Sequence, residues 1–261
     1  MRYQPHEVFT APEDPNVAIW RYIDFTKLVA LLDDSSLFFA RADTLGDEFE
    51  GSYSRLNVEL RPDVYKDIPS EGLAQIAQFT AEMPRHTYVN CWNVSAVESA
   101  ALWGLYVPPS GGVAIKSTFQ QLIDSFLPDE TDGEPLPMGR TVFAGLVRYV
   151  DYQATWIPEG NSLWPFVHKR QSFQFESELR AVVQDWPTIE DPSAEGGTRI
   201  EMTQPSPAGR SVAVDLAVLV DAIYVSPVAP AWFADLVCSV CARYGLHKPV
   251  VPSNLAGRPV Y

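Results

Sequence analysis

Between Glu176 and Val183 the sequence reads Glu-Ser-Glu-Leu-Arg-Ala-Val-Val, with charged and apolar side chains in alternation. Successive strand residues point to opposite faces, so Leu179, Ala181 and Val183 share one face while Glu176, Glu178 and Arg180 share the other. Such a segment needs a sheet with a core on one side, and it sets two carboxylates and a guanidinium on the opposite side. Two uses fit this pattern. One is a salt-bridged sheet face, with Arg180 pairing to Glu176 or Glu178. The other is a Glu-x-Glu site, in which one carboxylate stabilises positive charge and the second orients a nucleophile.

The rest of the chain alternates strand-type and helix-type segments without strict βαβ order. Residues 17–22, 37–41, 88–92, 112–116, 143–152, 176–184 and 223–226 read as strands. Asp24 is a natural N-cap for a helix bearing Phe25, Leu28, Val29, Leu31 and Leu32. Ser95-Ala-Val-Glu98 matches a capping box ahead of Leu102, Trp103 and Tyr106. Ser117 or Thr118 caps a helix bearing Phe119, Leu122, Ile123 and Phe126, and a further helix is expected near 71–83. Leu163–Phe173 reads as helical. A last helix has Pro230 at its first turn and ends at Gly245. Residues 1–16, with Pro5, Pro12 and Pro15, read as an extended lead-in. The single domain then spans 17–261, with an insertion-like stretch at 52–86 and exposed loops at 128–140 and 186–210. The expected class is α+β, with a mixed or antiparallel central sheet flanked by helices.

Charge and composition narrow the function by exclusion. Among 261 residues, 19 Lys+Arg stand against 33 Asp+Glu, a formal charge of −14. That balance, with no basic cluster, argues against broad nucleic-acid or membrane-surface binding, but leaves room for one local cationic pocket. No apolar run approaches the roughly 20 residues that span a bilayer, and the first fifteen residues hold no apolar signal core. Three cysteines are too few for a disulfide framework, so a cytoplasmic location is expected. Nothing in the residues sets an oligomeric state.

Several familiar chemistries lack their residues. Cys238-Ser-Val-Cys241 falls inside an apolar helix with no second pair for zinc, so both thiols read as core. His6, His86, His168 and His247 are scattered without ligand spacing. No nucleophile elbow, P-loop or dinucleotide fingerprint is present. Asp43, Asp47, Glu48 and Glu50 crowd one turn. They read either as a solvated acidic turn or, joined to the late glutamates, as ligands of a metal-dependent nuclease.

Trp20-Arg-Tyr22, Ser36–Arg41, Asp47–Gly51, Asn90-Cys-Trp92, Glu98–Trp103, Tyr106, Gly112–Lys116, Lys169–Phe173 and Glu176–Arg180 together resemble a bacterial family known as domain of unknown function 2971. The likeness runs in order over roughly residues 19–255, with 52–86 divergent. A second, more distant resemblance is to ADP-ribosyltransferases, on the aromatic-Arg strand near the start and the late strand opening with Glu-x-Glu. That likeness implies a split sheet and NAD as substrate, and it implies no metal. Carried over, Arg21 contacts the nucleotide, Glu178 is the catalytic carboxylate and Glu176 orients the acceptor. Tyr106 or Trp103 stacks on nicotinamide. Two departures stand out. Tyr88-Val-Asn-Cys-Trp92 replaces the usual Ser-Thr-Ser element. Gln174-Phe-Glu176 also fits a Gln-x-Glu pattern, which leaves the catalytic register open between 176 and 178.

The implied chemistry is coherent. Cleaving the nicotinamide–ribose bond passes through an oxocarbenium-like state that a carboxylate stabilises, while a second carboxylate serves as base. Lys169 and Arg170 are then candidate phosphate contacts, or else charges facing a helix C-terminus. The expected partner is one small phosphorylated ligand. A non-catalytic nucleotide- or protein-binding module is the alternative.

Overall fold

Local signals set most elements where the sequence places them. In the computed structural model, which describes residues 1–109, 111–127, 138–191, 193, 198–201, 206–257 and 259, Asp24 closes one strand and opens a helix. Its carboxylate accepts the Lys27 N–H at 2.9 Å and the Thr26 hydroxyl at 2.5 Å. Ser99, Thr118 and Asp215 cap later helices in the same way. The strands are β1 (Arg2–Tyr3), β2 (Ala18–Asp24), β3 (Ser36–Arg41), β4 (Thr87–Val94), β5 (Gly112–Thr118), β6 (Thr141–Leu146) and β7 (Arg148–Val150). Then come β8 (His168–Arg170), β9 (Glu178–Gln184), β10 (Thr188–Glu190), β11 (Thr198–Ile200), β12 (Gly209–Ala213), β13 (Ala222–Val225) and β14 (Val250–Pro252). The helices are α1 (Phe25–Asp34), α2 (Arg55–Val64), α3 (Ser70–Glu82), α4 (Ala100–Tyr106), α5 (Phe119–Ser125), α6 (Leu216–Leu219) and α7 (Ala231–Arg243).

The main sheet runs β1-β6-β9-β4-β2-β5-β13-β14, with β3 also on β4 and β12 on β3. Its two outer pairs, β1/β6 and β13/β14, are parallel and the inner pairs antiparallel. This mixed sheet flanked by helices is the arrangement implied by the missing βαβ alternation. One face packs on α1, α5 and α7 through Ile19, Trp92, Leu179 and Ala181. The other carries α4 against Trp20 and Tyr22, and a second cluster of Val89, Phe143, Leu163 and Val182. No helix among the described residues is long and apolar enough to cross a membrane.

One feature of the sheet positions the candidate site. On a single edge of β4, β3 pairs at Tyr88 and Val89, while β2 pairs only at Asn93 and Val94. Between these registers the two partners diverge and the sheet forks at Asn90–Trp92.

The structure corrects several expectations. Residues 163–173 are not a helix: a short 3-10 turn (Trp164–Val167) leads into β8, because His168–Arg170 pair in parallel with Arg148–Val150. The strand expected at 143–152 divides for the same reason, β6 staying in the main sheet and β7 leaving to meet β8. The strand expected from 176 starts at Glu178, since Ser177 adopts a left-handed φ of 40° and Glu176 closes a 3-10 turn. Ser95 and Glu98 form no capping box. Ser99 caps α4, and Glu98 instead accepts from Trp103 Nε1, Ser253 Oγ and the Asn254 N–H at 2.5–2.8 Å. Cys241 is buried as expected, but Cys238 is exposed. The lead-in is part of the body: β1 joins the sheet edge, and Val8 and Phe9 are buried in the second cluster. Residues 52–86 hold α2, which the sequence reading lacked, as well as α3. The loop expected over 186–210 contains the antiparallel pair β10/β11 and the start of β12. Of the loop at 128–140, only 138–140 lie within the described residues, and 192, 194–197 and 202–205 of the later loop lie outside them.

Candidate functional site

The fork opens a cleft of about 600 Å³. Its floor is formed by β3, β4 and β9, and its walls by α1, α4 and the turn between β8 and β9. Cross-strand register sets the floor chemistry: Asn93 lies opposite Glu178, and Cys91 lies opposite Arg180, so these four share one face.

Arg21 sits in the mouth of the fork. Having left β4, β2 cannot satisfy the backbone there, and the guanidinium takes over. Nη1 donates to the Cys91 carbonyl at 3.0 Å and Nη2 to the Phe38 carbonyl at 3.4 Å. Asn90 Nδ2 donates to the same Phe38 carbonyl at 2.9 Å. Burial lowers the Arg21 pKa, the Cys91 thiol opposing it, yet a guanidinium stays charged in any protein environment. Among the described residues, no carboxylate forms an ion pair with it.

The opposite wall is an ion network. Glu178 Oε1 accepts from Arg180 Nε at 2.6 Å, and Oε2 accepts from Arg180 Nη2 at 3.1 Å and from Lys169 Nζ at 2.9 Å. Lys169 also donates to Glu176 Oε2 at 2.5 Å, and the Tyr106 hydroxyl donates to Glu176 Oε1 at 2.8 Å. Arg180 further engages Glu50 and the Phe166 carbonyl. Burial works against the Glu178 charge, but Arg180, followed by Lys169 and the Cys91 thiol, outweighs it and brings the pKa down to about 2. Burial dominates at Glu50, whose pKa rises despite Arg180. Lys169 stands above the ordinary lysine value: burial acts to lower it, and the Glu178 charge together with the Glu176 hydrogen bond prevails. Burial first, and Glu176 second, push the Tyr106 phenol upward, so it remains a donor. Burial also raises the Cys91 thiol, with Glu178 adding to it, so both disfavour the thiolate here. At formal charges, the three carboxylates exceed the two cations by one, so this network carries a surplus negative charge.

Of the residues singled out from sequence, Arg21, Tyr106, Lys169, Glu176 and Glu178 line the cleft together. Trp103 does not. It is buried edge-to-face against Tyr22 with its N–H on Glu98, held there by the packing of α4. Arg170 is also withdrawn: it pairs with Asp47 at 2.6 Å and lies over the Phe49 and Phe173 rings. The acidic turn is neither solvated throughout nor a set of open ligands. Asp47 and Glu50 point inward onto Arg170 and Arg180, while Asp43 pairs with Arg41 and Glu48 is exposed. Among the described residues, no group of His, Cys, Asp and Glu is arranged to hold a metal ion.

Sequence reasoning missed Cys91 and Asn93 on the floor, and Tyr149. The Tyr149 hydroxyl accepts the Glu178 N–H at 2.8 Å. Asn93 Nδ2 donates to the Glu176 carbonyl at 2.7 Å, which fixes the amide and leaves its buried Oδ1 without a partner among the described residues. The alternation Val89/Cys91/Asn93 was readable, but only the β4/β9 register shows that it faces Glu178. None of the family models, curated proteins or solved structures compared with this chain matches it.

Proposed function

We propose that the cleft takes a dinucleotide of the NAD type and that its carboxylate wall promotes loss of nicotinamide, as in ADP-ribosyltransferase-like proteins and NAD glycohydrolases. The observation that supports this most is that one cleft at the fork brings together an arginine with no carboxylate partner among the described residues and an ion network with a surplus negative charge. A dinucleotide with a cationic nicotinamide and anionic phosphates matches both poles. The cleft volume falls within the roughly 300–1,000 Å³ of small-molecule sites.

In this reading Arg21 holds a phosphate through the N–H groups that the fork leaves free. As the N-glycosidic bond breaks, its electron pair passes to the nicotinamide nitrogen, which becomes neutral, and positive charge develops at ribose C1′. Glu178, ionised at any physiological pH, supplies the opposing field. Glu176 is the more open carboxylate, its side chain 11% exposed against 3% for Glu178. A base needs access to its proton, so Glu176 is the group that orients the incoming nucleophile, with Tyr106 and Lys169 fixing its two oxygens. With water as nucleophile, its oxygen bonds to C1′ and its proton leaves through Glu176, giving ADP-ribose, nicotinamide and a proton. The Arg170 and Trp103 positions drop out of this scheme.

One observation favours a non-catalytic module instead: both Glu178 oxygens are already engaged by cations. That reading gives binding without turnover. Incubation of the purified protein with NAD⁺, followed by chromatography, separates the two. Nicotinamide release that falls at least 100-fold in Glu176→Gln, and in Arg21→Gln at sub-saturating NAD⁺, supports catalysis (about 2.7 kcal/mol by transition-state arithmetic). Ligand-induced stabilisation without release supports the module. Neither release nor stabilisation rejects both.

A further inference from the structure

The lip of the cleft opposite the ion network carries an aromatic ring that the proposed chemistry does not use. On β3, Leu37 and Phe39 are buried in the main core, so Phe38 between them points to the other face. It is 54% exposed, a large cost for a phenylalanine in the middle of a sheet, and it lines the cleft.

The ring is held in place from behind. On the neighbouring strand Gly209 pairs with Ala40, and a Cβ at 209 would come within 2.0 Å of the Phe38 ring. Glycine there lets the ring lie directly on the β12 backbone with its outer side facing the cleft. The same residue positions Arg21, whose Nη2 donates to the Phe38 carbonyl. An aromatic face and a phosphate-binding guanidinium are therefore fixed to one another through a single residue. Across the floor the order is Phe38 on β3, Arg21 in the fork, Cys91 and Asn93 on β4, and Glu178 on β9.

We infer that Phe38 is the stacking platform for the purine base of the ligand, so that base, phosphates and reacting ribose lie in that order across the floor. This rests on the dinucleotide reading above and deepens it, by assigning the base to the lip remote from the carboxylates. Stacking on an aromatic side chain contributes about 1–3 kcal/mol per base, or roughly 5- to 150-fold in affinity. A tyrosine serves as well as phenylalanine, whereas an aliphatic side chain does not.

Titration calorimetry with ADP-ribose, AMP and inorganic pyrophosphate tests this on wild type, Phe38→Ala, Phe38→Leu and Phe38→Tyr, with melting temperatures confirming that each variant folds. The expected result is at least a five-fold loss of ADP-ribose and AMP affinity in the alanine and leucine variants. The tyrosine variant stays within about two-fold, and pyrophosphate affinity is unchanged throughout. Equal affinities in all four proteins would overturn the inference. So would a parallel loss for pyrophosphate, which would make the ring a mere support for Arg21. NAD⁺ cleavage at an unchanged KM in Phe38→Ala rejects the platform and keeps the proposed function. Phe38-dependent AMP binding without nicotinamide release keeps the platform and rejects the catalysis. If wild type binds none of the three ligands and neither cleaves nor is stabilised by NAD⁺, both fall.

Discussion

Arg180 has no exposed side-chain surface and meets two carboxylates, Glu50 and Glu178, from the interior of the sheet. Removing water from such charges is costly, and their mutual attraction offsets this only when every partner is present. Glu178 is the partner on which the others converge, so Glu178→Gln leaves Arg180 and Lys169 under-neutralised in the core. The expected loss is about 3–5 kcal/mol, read as a lowered urea midpoint at neutral pH. The pH dependence carries a sign. The folded-state pKa of Glu178 lies below its unfolded value near 4.5, at about 2. Its contribution is therefore present above 4.5 and is lost as the pH falls toward 2. Glu50, raised by burial, has the opposite sense and loses stability as the pH rises above its ordinary value. Stability profiles measured from pH 5 down to pH 2 should thus be shallower in Glu178→Gln than in wild type. Equal slopes would show that Glu178 does not titrate with the fold.

α1 forms the cleft wall opposite the carboxylates through Lys27, Ala30, Leu31 and Asp34, and it depends on one cap. Asp24→Ala removes the acceptor of the Lys27 N–H and of the Thr26 hydroxyl, and should cost about 1 kcal/mol, or about 2–4 °C in melting temperature. Because Leu28, Leu31 and Leu32 still anchor the helix in the core, ligand affinity should move less than two-fold; a larger drop would mean that the cap itself orders the cleft. This helix also shows what the sequence made readable. A capping residue and an apolar stripe are local, and local signals located α1, α5 and α7 to within a residue or two. The alternation at 178–183 likewise placed Glu178 and Arg180 on one face. Elements whose identity depends on distant partners were not readable in this way. His168–Arg170 becomes a strand only because Arg148–Val150 lie beside it, and Glu98 abandons a local capping box for Ser253, 155 residues away. The candidate site divides along the same line. Arg21, Glu176, Glu178, Tyr106 and Lys169 were named from residue type and order, whereas Cys91, Asn93 and Phe38 join them only through strand register and the fork.

For the whole molecule, the excess of acid sets a field that the cleft has to work against. If the ligand is anionic, as proposed, a body of formal charge −14 repels it at long range, while Arg21 would attract it only within the fork. Screening separates the two, since the Debye length shortens from roughly 30 Å at 0.01 M salt to about 8 Å at 0.15 M. In the proposed reading the approach of the ligand crosses that range, whereas its contact with Arg21 would be short and mostly desolvated. The association rate of ADP-ribose, a dianion, should therefore rise by about two-fold or more between these salt concentrations, with its dissociation rate nearly constant. This is the reverse of the behaviour of basic proteins that collect anions by steering. Stopped-flow traces at the two salt concentrations decide the matter. An association rate that falls with salt would mean that the cationic fork, not the acidic body, governs the field at the entrance. Arg21→Gln should then reverse the salt dependence, leaving the repulsion of the acidic body, and in the repulsive case it should leave its sign unchanged.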